Sequence, residues 1–345
     1  MIYSVQYMRA IAALLVVIHH AAWKGEQYSS NPLYWFNVGG IGVDLFFIIS
    51  GYIMCHTVDK KKIEFSSFIK ARFLRIIPLY WLLTTLALSI YIFFPDKVNS
   101  SGGSTNIISS YTLFPTEGKY LINNGWTLSY EFLFYFIFSS CLFFNTLRKY
   151  LIPCFIILIL VFSGWLIGDV HYLISFLTSE FLIEFMFGIF AFYFTKNIGT
   201  NIYYGVVLIS ISITAIVFVD MNNMEFNRSI QYGVPSFIFF LGMLLMEYRF
   251  KNSNSSIFSS TLKALGNSSY SLYLSHPFSL VASSIALSYL GLADYGVIFV
   301  GLLVITSLIS GHLCYLILEK PLVKLMKTNR LYKREKNSRL LQFRR

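Results

Sequence analysis

The chain has 345 residues, 56% of them hydrophobic and only 12% charged, half of the about 25% typical of soluble domains. Surface this apolar cannot be hidden in one water-facing core, so a soluble globular protein is excluded and lipid is the fitting solvent. The net charge of +11 reads as a topology signal rather than a nucleic-acid surface, because of where the basic residues fall.

A helix crossing about 30 Å of hydrocarbon needs roughly 20 residues, and ten segments qualify. In chain order they run from about Val5 to Trp23, Val38 to His56, Ile76 to Phe94, Trp126 to Phe144 and Leu151 to Ile167. Phe176 to Phe194, Ile202 to Val219, Ser229 to Glu247, Leu265 to Leu290 and Gly296 to Leu318 complete the set. The first segment has no basic stretch ahead of it and carries Arg9, His19 and His20, which makes it a retained span rather than a cleavable signal.

With the N-terminus in the cytoplasm, one side of the membrane takes Lys60, Lys61, Lys62, Lys70, Arg72, Arg75, Arg148, Lys149, Lys196, Arg249, Lys251 and Lys263. It also takes the ten basic residues between Lys320 and Arg345, while Lys24, Lys97, Lys119 and Arg228 fall opposite. The positive-inside rule therefore favours an even number of spans with both termini cytoplasmic. The expected fold is an all-α integral membrane protein of about ten transmembrane helices, placed in a bacterial inner membrane. Residues 1–321 form its membrane domain and 322–345 a solvated basic tail. The Asn-Ser-Ser-Gly-Gly-Ser-Thr-Asn stretch from Asn99 to Asn106 reads as flexible loop within a long extracytoplasmic connection from Pro95 to Gly125. Four cysteines without paired spacing suggest neither disulfides nor a metal site.

Ionisable residues inside spans are costly, and each is a functional candidate. His20, Asp44 and Glu131 all fall in the outer third of the bilayer, on spans one, two and four. A histidine beside carboxylates can act as a general base, with an acid stabilising its imidazolium. Arg9 is eleven residues before His20, about 16 Å along a helix, and belongs to the inner half. Arg72 and Arg75, three apart, share a helix face and suit phosphate recognition. Phosphate binders on one side and a base on the other call for a long donor, and acyl-coenzyme A has that shape. Each residue also has a structural reading. Arg72 and Arg75 serve equally as topology anchors, Asp44 as a cap or interhelical hydrogen bonder, and His20 as a packed interfacial histidine. Glu180 and Glu184 are structural, line the same cavity, or pair with Arg9. His276, before Pro277, is a helix-bend hydrogen bonder or a site residue.

Six segments in order resemble the membrane acyltransferase-3 family. Arg9 and His20 stand in an Arg-x10-His motif, and Gly39 to Tyr52 is similar to the family's second-span signature. Arg72-Phe-Leu-Arg75-Ile-Ile-Pro78-Leu-Tyr80 and Trp126-Thr-Leu-Ser129-Tyr-Glu131 match two further elements. Leu265 to His276 and Glu319-Lys-Pro321 close the series. The resemblance implies His20 as catalytic base, Glu131 and Asp44 as supporting acids, and Arg9, Arg72 and Arg75 in donor binding. It implies acetyl-CoA as a cytoplasmic donor substrate, with no permanently bound cofactor, and a glycan acceptor met at the outer face. The first two spans look closest to members acting on exopolysaccharide, and polysaccharide-assembly proteins would be the partners. Many relatives carry a fused esterase-like domain, and no such segment is visible in this chain. The rival reading is a proton-coupled transporter or lipid-linked-sugar carrier, for which neither internal repeats nor interrupted helices are found.

Overall fold

The computed structural model describes residues 2–28, 32–33, 38–59, 61–95, 98, 102–144, 147–168, 170–197, 199–222, 226–252 and 256–326. Helix α1 spans Tyr3–Glu26, α2 Ile41–Asp59 and α3 Phe65–Phe93. The short α4, Ile107–Thr112, precedes α5, Gly125–Ser140, and α6, Arg148–Ile167. Next come α7, Tyr172–Leu177, α8, Phe181–Asn197, and α9, Ile202–Met221. A π-helical turn, Ser229–Gly233, leads into α10, Val234–Leu245, followed by α11, Glu247–Asn252, and α12, Ile257–Tyr289. Helix α13, Gly296–Cys314, continues through a second π-helical turn, Tyr315–Glu319. Among the described residues no strand forms, only an isolated bridge between Thr105 and Lys119.

Each of the ten expected segments is largely helical, but among the described residues seven helices are long and apolar enough to cross a membrane. The other three fall short of that measure for separate reasons. Helix α5 has only 16 residues, and Ser229–Leu245 is likewise a shorter apolar helix. Helix α12 has 33 residues, yet its centre is a run of buried Ser268, Ser269, Ser271, Ser275 and His276. These polar groups face neighbouring helices and lower the hydropathy of the segment as a whole. The expected flexible stretch also proves partly organised. Asn99, Ser100 and Ser101 lie outside the described residues, as does the tail from residue 327. From Ser104 onward the loop is tied down. The Lys119 N–H donates to the Ser104 carbonyl at 2.8 Å, Asn106 caps α4, and the Tyr80 hydroxyl donates to the Ser110 carbonyl at 2.6 Å.

Helix α1 packs against α2 and α12, α2 against α8, α12 against α13, and α9 against α10. Helix α2 is central, with 78% of its apolar stretch buried, whereas α9 has 11% and presents its side chains outward. The start of α1 is held by Glu247, whose carboxylate accepts from the Tyr3 and Ser4 N–H groups at 2.8 and 2.7 Å. An acidic group at unpaired N-terminal amides is favourable for both hydrogen bonding and the helix dipole.

Pro277 sits inside α12 and has no N–H to offer the carbonyl of Tyr273, four residues earlier. That carbonyl accepts instead from the Asn124 side chain at 2.8 Å. The substitution of one donor for another ties the entrance of α5 to the bend of α12.

The crossing of α2 and α8 depends on two glycines. A Cβ on Gly51 would collide with the Phe185 carbonyl oxygen, and one on Gly188 with the Ile48 carbonyl oxygen. Because the obstacles are backbone atoms, no side-chain rotation relieves them. Gly51→Ala should therefore lower stability by about 1–3 kcal/mol, the usual cost of overpacking. The measurement is the thermal unfolding midpoint in detergent, and an unchanged midpoint would mean that the two helices have room to separate.

Candidate functional site

Helix α1 is unbroken from Tyr3 to Glu26. The eleven residues from Arg9 to His20 therefore make about three full turns, placing both on one face about 16 Å apart. Arg9 looks into an interior cavity of about 120 Å³ that is also lined by Arg72, Arg75, Glu131, Ser50 and Tyr135. The i,i+3 spacing on α3 thus brings both of its arginines to one wall. The structure joins four of the six sequence-predicted site residues here: Arg9, Arg72, Arg75 and Glu131.

Charge in this cavity is unbalanced. None of the three arginines forms an ion pair among the described residues, where the pairs are Lys196 with Asp59 and Arg228 with Asp44. Arg72 lies over the Phe68 ring, 5.5 Å from its centroid, and its buried Nε has no hydrogen-bond partner. Glu131 is engaged with Tyr135, whose hydroxyl donates to its carboxylate, and with the Ser50 hydroxyl at 3.1 Å. Glu319, at the end of the second π-helical turn, accepts from Ser271 at 2.5 Å. It attracts Arg9 through space, as Glu131 does, while Arg75 repels it. Three guanidiniums thus line one small cavity whose lining carboxylate is held by hydroxyls, and guanidiniums are donors of the kind that suit anions.

His20 lies above this cavity and meets a different partner from the expected one. Its Nδ1 is 3.0 Å from His276 Nε2, and the two rings stack with centroids 5.0 Å apart. His19 stands edge-on at 5.6 Å. No carboxylate contacts His20 among the described residues. His276 is fully buried, and its Nδ1 is 3.0 Å from the Leu272 carbonyl oxygen. Tyr273 connects the two levels. Its side chain lines the arginine cavity, its ring is 6.2 Å from that of His276, and its hydroxyl shares a 2.9 Å hydrogen bond with Thr127, one turn before Glu131.

Asp44 is placed elsewhere. It is fully buried and pairs with Arg228 Nη2 at 2.9 Å; that guanidinium also lies over the Phe181 and Tyr232 rings. Asp44 and Ser50 are six residues apart on α2, so about a third of a turn separates them around the axis, and only Ser50 faces the cavity. Glu184, also fully buried, stands near Asp44, and neither of its carboxylate oxygens has a hydrogen-bond partner among the described residues. Glu180 accepts from the Ser229 N–H at 3.5 Å. Neither glutamate pairs with Arg9. The residues to which sequence reasoning gave no site role are therefore Arg228, Tyr135, Tyr273 and Glu319, the last of them noted only as part of a motif. Arg228 had one signal: it was an exception to the basic-residue asymmetry.

A second, wider hollow of about 700 Å³ adjoins the end of α2 and is lined by Lys61, Lys62, Lys149 and Lys196. Two of these lysines are structural ties. Lys196 pairs with Asp59 at 2.7 Å, and Lys149 donates to the Val58 carbonyl at 3.2 Å.

The family model described as an acyltransferase domain, that of the acyltransferase-3 family, matches residues 2–315. The chain belongs to the acyltransferase-3 family. It is an acyltransferase enzyme and, with its long apolar helices, a multi-pass membrane protein. The exopolysaccharide production protein ExoZ of Rhizobium meliloti is 26% identical over 318 residues, 89% of this chain and 95% of that protein. Acyltransferase MdmB of Streptomyces mycarofaciens is 29% identical over 42% of this chain and 40% of its own length. Protein 2 in the picA locus of Rhizobium radiobacter is 37% identical over 90 residues, 25% of this chain and 43% of that protein. No solved structure matches the chain significantly.

The Asp44–Arg228 contact makes a stability prediction. Arg228→Met leaves a buried carboxylate without its cation, which costs about 3–5 kcal/mol in a sealed interior. Arg228 is itself 36% exposed, so the lower end, about 3 kcal/mol, is expected. Adding Asp44→Asn should recover much of that loss in a double-mutant cycle of unfolding midpoints. Strict additivity of the two changes would mean that the pair carries no coupling.

Proposed function

We propose that this chain is an O-acyltransferase of the bacterial inner membrane. It moves an acyl group, chiefly acetyl, from cytoplasmic acyl-CoA to a hydroxyl of an exported or cell-surface polysaccharide. The observation that supports this reading is the vertical arrangement of the site. Three arginines that form no ion pair among the described residues line one cavity, and His20 stands on the same face of α1 about three turns away. The likeness to an exopolysaccharide production protein along 89% of the chain supports a polysaccharide acceptor. Ten helices crossing the bilayer with both termini inside put the arginines toward the cytoplasm and His20 toward the outer face. The three shorter or more polar helices, α5, α10 and α12, then complete the bundle.

In this mechanism the donor approaches from the cytoplasm with its phosphates drawn to Arg72 and Arg75. The cavity of about 120 Å³ is narrower than the roughly 300–1,000 Å³ of a typical ligand pocket. It suits the thin pantetheine arm, while the nucleotide head stays at the mouth. Arg9 continues the positive lining inward, and Glu131, held by Tyr135 and Ser50, offsets the mutual repulsion of the guanidiniums and lets them share one cavity. Phe46 and Tyr273 line the cavity and stack edge-to-face at 5.6 Å, so the arm passes them to bring its thioester to His20. His20 Nε2 takes the proton of a sugar hydroxyl, and the oxygen attacks the thioester carbonyl. The C–S bond breaks, and the departing thiolate takes the proton back from the imidazolium. Asp44, with Arg228, fixes α2 against the first π-helical turn and has no part in the proton transfer.

Loss of the general base should slow transfer by about 10²–10⁴-fold. The test is the O-acetyl content of purified surface polysaccharide, measured by proton NMR in a deletion strain complemented with wild type or His20→Ala at matched protein levels. Wild type alone should restore the acetyl signal. Full acetylation with His20→Ala would remove His20 from the chemistry, and unchanged acetylation in the deletion strain itself would reopen the transport reading. The arginines are tested separately. Arg75→Gln should raise KM for acetyl-CoA by about tenfold, the equivalent of one charge-assisted hydrogen bond, with a smaller effect on kcat. A KM unchanged in both Arg72→Gln and Arg75→Gln would place the donor elsewhere.

A further inference from the structure

His276 is the one side chain hydrogen-bonded to His20 among the described residues, and the geometry determines which protons the pair carries. The Leu272 carbonyl oxygen can only accept, so His276 Nδ1, 3.0 Å away, must bear a hydrogen. A neutral imidazole has a single N–H, which leaves His276 Nε2 as a bare acceptor. The His20 nitrogen facing it at 3.0 Å is Nδ1, and this contact is a hydrogen bond only if Nδ1 carries the proton. His20 Nε2 is then left with its lone pair free.

We infer that His276 is a positioning residue for acyl transfer, holding His20 in the tautomer and orientation whose free Nε2 lone pair can accept the acceptor hydroxyl's proton. This rests on the reading of His20 as the base. The usual partner that orients a catalytic histidine is a carboxylate, and none touches His20 here. A neutral imidazole does the same geometric task without placing a fixed charge in an apolar bundle, where an unpaired carboxylate is costly. It also remains an acceptor once His20 is protonated, because the imidazolium keeps its Nδ1–H directed at His276 Nε2.

The surroundings of His276 support this role. Pro277 follows it directly, and the carbonyl that Pro277 leaves without a helical donor, that of Tyr273, is held by Asn124 at 2.8 Å. The bend that presents His276 is thus secured from outside α12. Ring stacking at 5.0 Å fixes the relative tilt of the imidazoles, and burial of His276 removes water as a competing partner for its Nε2.

The test compares His276→Gln with His276→Ala. A glutamine carbonyl reaches about where His276 Nε2 sits and can accept from His20 Nδ1–H, but alanine offers nothing. Transfer is measured from radiolabelled acetyl-CoA to alkali-de-O-acetylated surface polysaccharide of the host strain, using detergent-purified full-length protein. His276→Ala should lose about 10–100-fold in kcat, the scale of removing the partner that orients a metal-bound histidine. Its KM for acetyl-CoA should stay within about twofold. His276→Gln should recover most of that kcat. Equal loss in both variants would overturn the inference, because it would mean that His276 must itself take up a proton. Wild-type kcat in both variants would overturn it too. His20→Ala is the control for the underlying reading. If it is inactive while both His276 variants are fully active, only the positioning role fails; if it is active, the base assignment fails as well. A measurement that needs no variant is the ¹⁵N spectrum of histidine-labelled wild type. An Nδ1-protonated neutral His20 is expected, and an Nε2-protonated one would refute the tautomer.

Discussion

Helix α1 carries Arg9 and His20 on a single face, and its packing between α2 and α12 decides what each of them meets. Toward one end that face opens on a cavity to which α3 adds two more guanidiniums and α5 one carboxylate. Toward the other it meets His276, delivered by α12. A cluster of arginines and an imidazole are thereby held about 16 Å apart by a continuous helix. A helix is a rigid spacer, so the distance between the two is fixed.

The same bundle shows how charge is tolerated in an apolar interior. Asp44 is neutralised by Arg228, whose guanidinium spreads over two aromatic rings. Glu131 is satisfied by hydroxyls of Ser50 and Tyr135, and Glu319 by Ser271. The arginines of the cavity form no ion pair among the described residues; Arg75 is exposed, and Arg72 lies over the Phe68 ring and against Tyr135. Both π-helical turns sit beside these charges. Ser229–Gly233 begins next to Arg228, and Tyr315–Glu319 ends on Glu319. Such turns widen the backbone locally and frequently occur at functional sites.

Main-chain economy at the α12 bend serves the same end. Proline removes a donor, and Asn124 replaces it, which couples α12 to the start of α5 through one amide. Thr127 and Tyr273 repeat the coupling at side-chain level. Two elements that carry Glu131 and His276 are therefore registered against each other, so the cavity and the histidine pair keep a fixed relation.

Composition determined the environment, and apolar run lengths determined where helices form, because both depend only on local chain properties and on the thickness of hydrocarbon. The spacing of Arg9 to His20 and of Arg72 to Arg75 was equally legible, since positions along one helix follow from its pitch. What the pattern could not convey was azimuth between helices. His20, Asp44 and Glu131 share a depth by counting residues, yet they face three different neighbours: His276, Arg228, and Tyr135 with Ser50. Depth is a one-dimensional quantity carried by sequence number. Which side chains touch depends on how each helix is rotated against the next, and that rotation is set by contacts such as Gly51 against Gly188, between residues 137 positions apart in the chain. The choice of a histidine over a carboxylate as the partner of His20 was for that reason settled only by the tertiary packing.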